Sequence, residues 1–299
     1  MRVTETLRGS QLLLDLQQAE ERLMRAQNRI ASGRKVSLPE DDPVATADGM
    51  RFDSELALDE RIGRTAQSAG GWLQATDTAL GSIGDILLRA RELALQGASD
   101  AVPPESRQAL AKEVDQLLQQ LIQVGNSRFG GRYLFGGVQA SGGTPPFQPD
   151  PSQANYGGYQ ASSVAISIDI TGSGSAGFQL SVTGDQLEGA IQAVQNLETQ
   201  LASGTATASS VAGAIPAIES ALDDVLDLRA TVGSRLNRIQ DVQSRLQSDQ
   251  LLLRQSAAKA TDVDMTQATI DFSVAQYSYQ AALAVGARVV QPSLVDYLR

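Results

Sequence analysis

Two short stretches carry residue types at spacings that could do chemistry. TGSGSAGF sets Gly172, Gly174 and Gly177 in a GxGxxG pattern behind an alternating apolar run, the spacing by which backbone amides close on a pyrophosphate. Further upstream Glu40, Asp41 and Asp42 stand in a row, and neighbouring carboxylates can divide acid and base work or hold a hard cation. Both readings weaken against the elements that must position the residues. A dinucleotide fingerprint opens a helix whose N-terminus receives the phosphate, whereas FQLSV after these glycines alternates like a strand, so the glycines turn a hairpin. The acidic row precedes Pro43, which marks a helix start: Asp42 is expected to cap, with Asp41 near the positive end of the helix dipole and Pro43 in the first turn. No second polar cluster converges with it, as an active site would need.

Composition removes most other chemistry. The chain has no His and no Cys among its 299 residues, so imidazole bases, thiol nucleophiles, disulfides and the usual nitrogen and sulfur metal ligands are missing. Neither a cofactor nor a metal is expected, and the chain does not read as an enzyme. A formal charge of −10 opposes binding to nucleic acid. The opening MRVTETLRGS lacks the pattern of a cleaved secretory signal, and no run of eighteen apolar residues predicts a membrane span. Hydrophobic content is 42% but aromatic content only 4%, which favours thin helical layers built on Ala and Leu over a deep core.

Periodicity supplies those layers. Leu12, Leu16, Ala19, Leu23, Ala26 and Ile30 recur at spacings of four and three, the seam of a coiled-coil edge, until Ser32-Gly33 ends it. A non-helical connector leads to a long helix from about Pro43 to Gly97, which Gly63, Gly70 and Gly71 should weaken or bend, and a further helix runs from the SDAVPPE turn to Gly125. Between Val138 and about Asp185 Val164, Ile166, Ile168 and Ile170 alternate, as do Phe178, Leu180 and Val182, so this insertion reads as β-rich. Helical spacing then returns, with a long helix beginning near Pro216. In TDVD, Thr261 reads as a cap with Asp264 three residues on, before a last seam through Met265, Ala268, Phe272, Ala275, Tyr279, Ala282 and Val289 and the tail SLVDYLR.

The stretch GGRYLFGG, Gly130 to Gly137, joins the two characters: glycines end a helix, and RYLF reads as a short strand with Tyr133 and Phe135 on one face and Leu134 on the other. The expected organisation is residues 1–42 as N-terminal coiled-coil helix and connector, 43–137 as the first part of a helical bundle and 138–184 as the insertion. Residues 185–257 form the second part and 258–299 the C-terminal coiled-coil helix.

SGRKVSLPEDDPVA, GGRYLFGGVQ and the closing SLVDYLR, in that order between heptad termini, resemble the flagellin superfamily, and within it the hook-filament junction branch. The resemblance covers about residues 1–138 and 185–299. It implies a mainly α fold, an elongated helical bundle with antiparallel terminal coiled-coil helices. It also implies an axial structural role in the bacterial flagellum, with export unfolded through the flagellar type III apparatus and folding on assembly outside the cell. The implied partners are another hook-associated protein, filament flagellin, further copies in a ring or helical layer, and a cytosolic export chaperone on about residues 262–299. Leu12, Leu16, Leu23, Ile30, Met265, Phe272, Tyr279 and Val289 would then carry assembly, with Leu294 and Leu298 in the tail. A minor filament flagellin, and a type III secreted coiled-coil translocator or effector, stand as alternatives at this point.

Overall fold

The computed structural model describes residues 2–36, 40, 42–172, 174, 177–203 and 206–290. Seven helices account for most of them: α1 (Arg2–Ser32), α2 (Pro43–Gly97), α3 (Pro104–Gly125), α4 (Asp185–Ala202), the short α5 (Ala208–Ala212), α6 (Ile215–Thr261) and α7 (Met265–Val290). Four strands of two residues each form two antiparallel pairs, β1 (Arg128–Phe129) with β2 (Arg132–Tyr133) and β3 (Ser167–Ile168) with β4 (Phe178–Gln179). The chain divides into two compact units, Met1–Ala57 with Asp249–Arg299, and Leu58–Ser248. They are called the terminal and inner units below.

Local chemistry sets the helix boundaries. Asp42 Oδ1 accepts the N–H groups of Val44 and Ala45 at 3.2 and 3.0 Å, satisfying two amides that the first turn leaves free; Asp41 lies outside the described residues. The glycines of α2 do not interrupt it. Gly71 lies where a side chain would crowd the ring of Phe129, 3.1 Å from where its Cβ would stand, so it admits that neighbour.

The start of α7 departs from the expected cap. Thr261 belongs to the last turn of α6, and its hydroxyl donates back to the Ala257 carbonyl at 2.9 Å. Asp264 does the capping, accepting the N–H groups of Thr266 and Gln267. Thr and Asp are both good caps, so the letters alone did not decide between them.

The inner unit has one apolar core, in which Leu73, Leu80, Ile83 and Leu87 of α2 are fully covered with Leu121, Leu197 and Phe135. Arg107 of α3 is also buried and donates to the carbonyls of Gly97, Ser99 and Ala206 at 2.9 to 3.0 Å. A charge whose three nitrogens each find a carbonyl can be held away from water.

GGRYLFGG is a hairpin followed by a turn, not a four-residue strand. Gly130 and Gly131 take φ of +58° and +80°, values a side chain disfavours. Tyr133, Leu134 and Phe135 are all buried, so the expected alternation is absent. The cause is what meets them: the Tyr133 amide donates to Ala140, and the Phe135 carbonyl accepts from the Gly184 amide and the Tyr159 hydroxyl.

Beyond it the insertion is mostly irregular chain closed by polar clamps. Asn126 brackets the backbone of Phe147, accepting its N–H and donating to its carbonyl, both at 2.9 Å. Ile170, Phe178, Leu180 and Val182 are buried as the alternation requires, while Val164 points to solvent.

Candidate functional site

The loop of the GxGxxG pattern joins β3 to β4 and leads into a strand, not a helix. Gly172 and Gly174 take φ of +75° and +77°. The amides of the pattern's first two glycines are already taken: Asp169 accepts from the N–H groups of Thr171, Gly172 and Gly174 at 2.7 to 3.0 Å. Those hydrogen bonds, led by that of the Thr171 amide, hold its carboxyl below the usual carboxylate range. In the acidic row, Asp42 is occupied by its cap.

The terminal unit offers a surface instead. Its joint is a pair of backbone hydrogen bonds, Val263 N–H to the Gly33 carbonyl at 3.0 Å and Lys35 N–H to the Thr261 carbonyl at 2.7 Å, with Gly33 at φ +68°. From there α1 and α7 run antiparallel and packed together. Ala19 and Ala26 of α1 and Ala268 of α7 are buried in the seam. Gly286 faces Leu12 and Leu16, whose methyl groups lie 3.5 and 3.9 Å from where its Cβ would stand. Small residues along one line let two helix backbones approach closely.

The structure distributes the expected assembly residues unevenly. Leu12, Leu16, Leu23 and Ile30, with Phe272 and Tyr279, lie half-buried between the two helices, whereas Met265 is exposed. Val289 falls within α7 but its side chain is outside the described residues, as are Leu294 and Leu298. Within this unit the seam side chains covered most completely are alanines, so the larger ones remain partly open to water.

A second apolar line escaped the sequence reading. Ile270, Val274, Tyr277 and Ala281 repeat at spacings of four, three and four on the side of α7 turned away from the seam. Val274 is 59% and Tyr277 73% exposed. Across its 26 residues α7 carries only Asp271 and Arg288 as charges. A helix apolar on opposite sides is normally covered on both, and here only one is covered. The signal was available as an absence of charge. On α1, Leu13, Leu14 and Met24 are likewise exposed. Flanking the seam, Arg22, Arg25 and Arg29 line one wall of a groove and Asp264 and Asp271 the other.

Among the described residues no helix is long and apolar enough to cross a membrane. The architecture is that of a mainly helical protein whose first and last helices pair and leave an apolar face open, a class suited to association. The chain matches the bacterial flagellin N-terminal helical region over residues 6–140 and the C-terminal helical region over residues 215–298. It belongs to the flagellin superfamily. It is 23% identical over 310 aligned residues to flagellar hook-associated protein 3 of Escherichia coli K12, spanning 94% of this chain and 95% of that one. Flagellin of Bacillus subtilis 168 is 20% identical and aligns over 97% of both chains. The crystal structure of Bacillus cereus FlgL superposes with a TM-score of 0.60 at 22% identity, covering 70% of this chain and 99% of that one, which shows a shared fold.

Proposed function

We propose that this chain is a structural axial protein of the flagellum that joins hook-associated protein to filament flagellin through its terminal helices. The observation that carries the assembly mechanism is the uncovered apolar line of α7, Ile270, Val274 and Tyr277. Near full-length similarity to hook-associated protein 3 supports the junction role. Copies pack side by side in a ring or helical layer, each covering the apolar face of the next, and ordering of the termini is coupled to that packing. The unfolded chain travels through the type III apparatus to the outside of the cell. On the way, a cytosolic chaperone holds about residues 262–299 by the same apolar side chains, as an amphipathic helix is held in a groove.

The test is incorporation in a strain lacking the chromosomal copy. Val274→Asp places a charge on the open face, where the side chain is mostly exposed. The variant is expected to be folded and secreted but absent from isolated hooks, with loss of motility. Leu16→Asp, on the seam, should fail in the same assay. Normal incorporation of Val274→Asp would sink the proposal. Immunogold labelling of wild-type protein along the filament, rather than in one band at the hook tip, would make the chain a minor flagellin.

A further inference from the structure

The inner unit has a surface that its own packing does not account for. On α2, Asp77, Gly81, Gly84, Leu88 and Arg91 recur at spacings of four and three and so share one side of the helix. Arg91 pairs with Glu219 of α6 at 2.8 Å, and Arg229 of α6 pairs with Asp77 at 3.1 Å. From Asp77 to Arg91 the helix rises about 21 Å, so the two ion pairs frame a window of that length. Inside it Leu88 is 45% and Leu226 52% exposed, and Gly84 leaves a notch, with nothing within 4 Å of where its Cβ would be. A glycine within a helix costs about 1 kcal/mol relative to Ala. Gly84 has neither a positive φ nor a crowding neighbour to require it, and the notch has room for a group from outside. The rim is acidic: Asp223 and Asp227 flank Leu226, are exposed, and make no ion pair among the described residues.

The same chain carries a surface of opposite character. Phe129 of β1 rests beside Gly71, edge-on to Trp72, and stays 39% exposed. Arg132 lies over the Trp72 ring and Arg128 over Tyr133, so both guanidinium charges sit on aromatic faces with no carboxylate to neutralise them among the described residues. Arginines around an aromatic ring are the usual anchors of an interface. Gly71 and Gly84 are 13 residues apart on α2, so their directions differ by about 140° around the helix axis. A surface and its complement that face different ways cannot meet within one molecule, and they pass the contact from copy to copy.

We infer that the cationic, aromatic hairpin β1–β2 of one copy docks on the Gly84 window of the next. This rests on the self-assembly reading above and adds a contact that is independent of the terminal helices. The chain has no cysteine, so Gly84→Cys and Arg128→Cys can each be introduced as the single thiol. Both variants are co-expressed in the deletion strain, and isolated hook-filament junctions are treated with a short bismaleimide. The expected product is a dimer holding one of each variant, at least tenfold more abundant than the dimer from either alone. A mixed dimer no more frequent than the single-variant dimers would overturn the contact. A Tyr277→Cys chain treated alike reports copies adjacent through α7: its dimer without the mixed product removes only this docking, and the absence of both removes the self-assembly reading as well.

Discussion

The terminal and inner units use the same residue types to different ends. In the inner unit the core leucines, isoleucines and Phe135 are withdrawn from water almost completely, and some of its charges are tied across helices, as Arg91 is to Glu219. In the terminal unit the seam is closed by alanines and Gly286, its leucines are half-buried, and Val274 and Tyr277 face solvent. Apolar area withdrawn from water contributes about 25 cal/mol per Å². The inner unit therefore holds itself together, whereas the terminal pair gains most of its stability only when something covers it. Under the function proposed above, a chain that travels unfolded and then builds a wall would benefit from that division, because its association surface could not be satisfied before neighbours were present.

The largest test of this contrast is Phe135→Ala. The ring is fully buried, and its removal is expected to lower inner-unit stability by about 3 to 5 kcal/mol, read as a shifted denaturant midpoint of Trp72 fluorescence. Trp72 is the only tryptophan and is buried in that unit, so the signal is specific. Leu16→Ala should leave this transition in place; a shared shift would mean that the two units unfold as one. Next is Arg107→Met, which strips three carbonyls of their donor. It should cost about 3 kcal/mol, the upper range for a hydrogen-bonded charge, in the same measurement. In the terminal pair the expected sign reverses. Gly286→Ala puts a methyl at ordinary contact distance from Leu12 and removes a helix-interior glycine, so it should stabilise α7 by about 1 kcal/mol. Amide exchange along α7 would slow about fivefold, and unchanged exchange would show that Gly286 already packs as well as alanine could.

What was legible in the sequence follows the same division. The extent of α2 could be read because its signals are local: Asp42 and Pro43 at one end, Gly97 at the other. The seams of α1 and α6 could be read because polar residues separate their apolar positions. The outer line of α7 could not, since a helix apolar on two sides offers no contrast and one register hides the other. Arg107 gave no sign, because its partners are backbone carbonyls, one of them at Ala206 far along the chain. The burial of Leu134 beside Tyr133 and Phe135 comes from the clamp made by Gly184 and Tyr159, which no alternation rule contains. Of the proposed assembly surface, the half that faces inward was visible and the open half was not.

The smallest expected effect concerns the β3–β4 loop, where a carboxylate organises chain that has little apolar area of its own. Asp169 holds the amides of Thr171, Gly172 and Gly174 only while ionised, since a protonated oxygen is a poor acceptor for all three. These bonds keep its pKa in the folded chain below that of an unfolded aspartate, which is about 3.9. A depressed folded value means that the loop gains stability above the unfolded pKa and loses it as pH falls through the folded one. At neutral pH the loop is closed, and on acidification it should open while the helical core of the inner unit persists. The Gly174 amide proton, observed by NMR, should shift upfield as its acceptor is lost, with a midpoint below 3.9. Asp169→Asn keeps one oxygen acceptor but no charge, and should abolish that titration while leaving the Trp72 transition unmoved. A Gly174 midpoint at or above the ordinary aspartate value would mean that hydrogen bonds to Asp169 do not hold the loop.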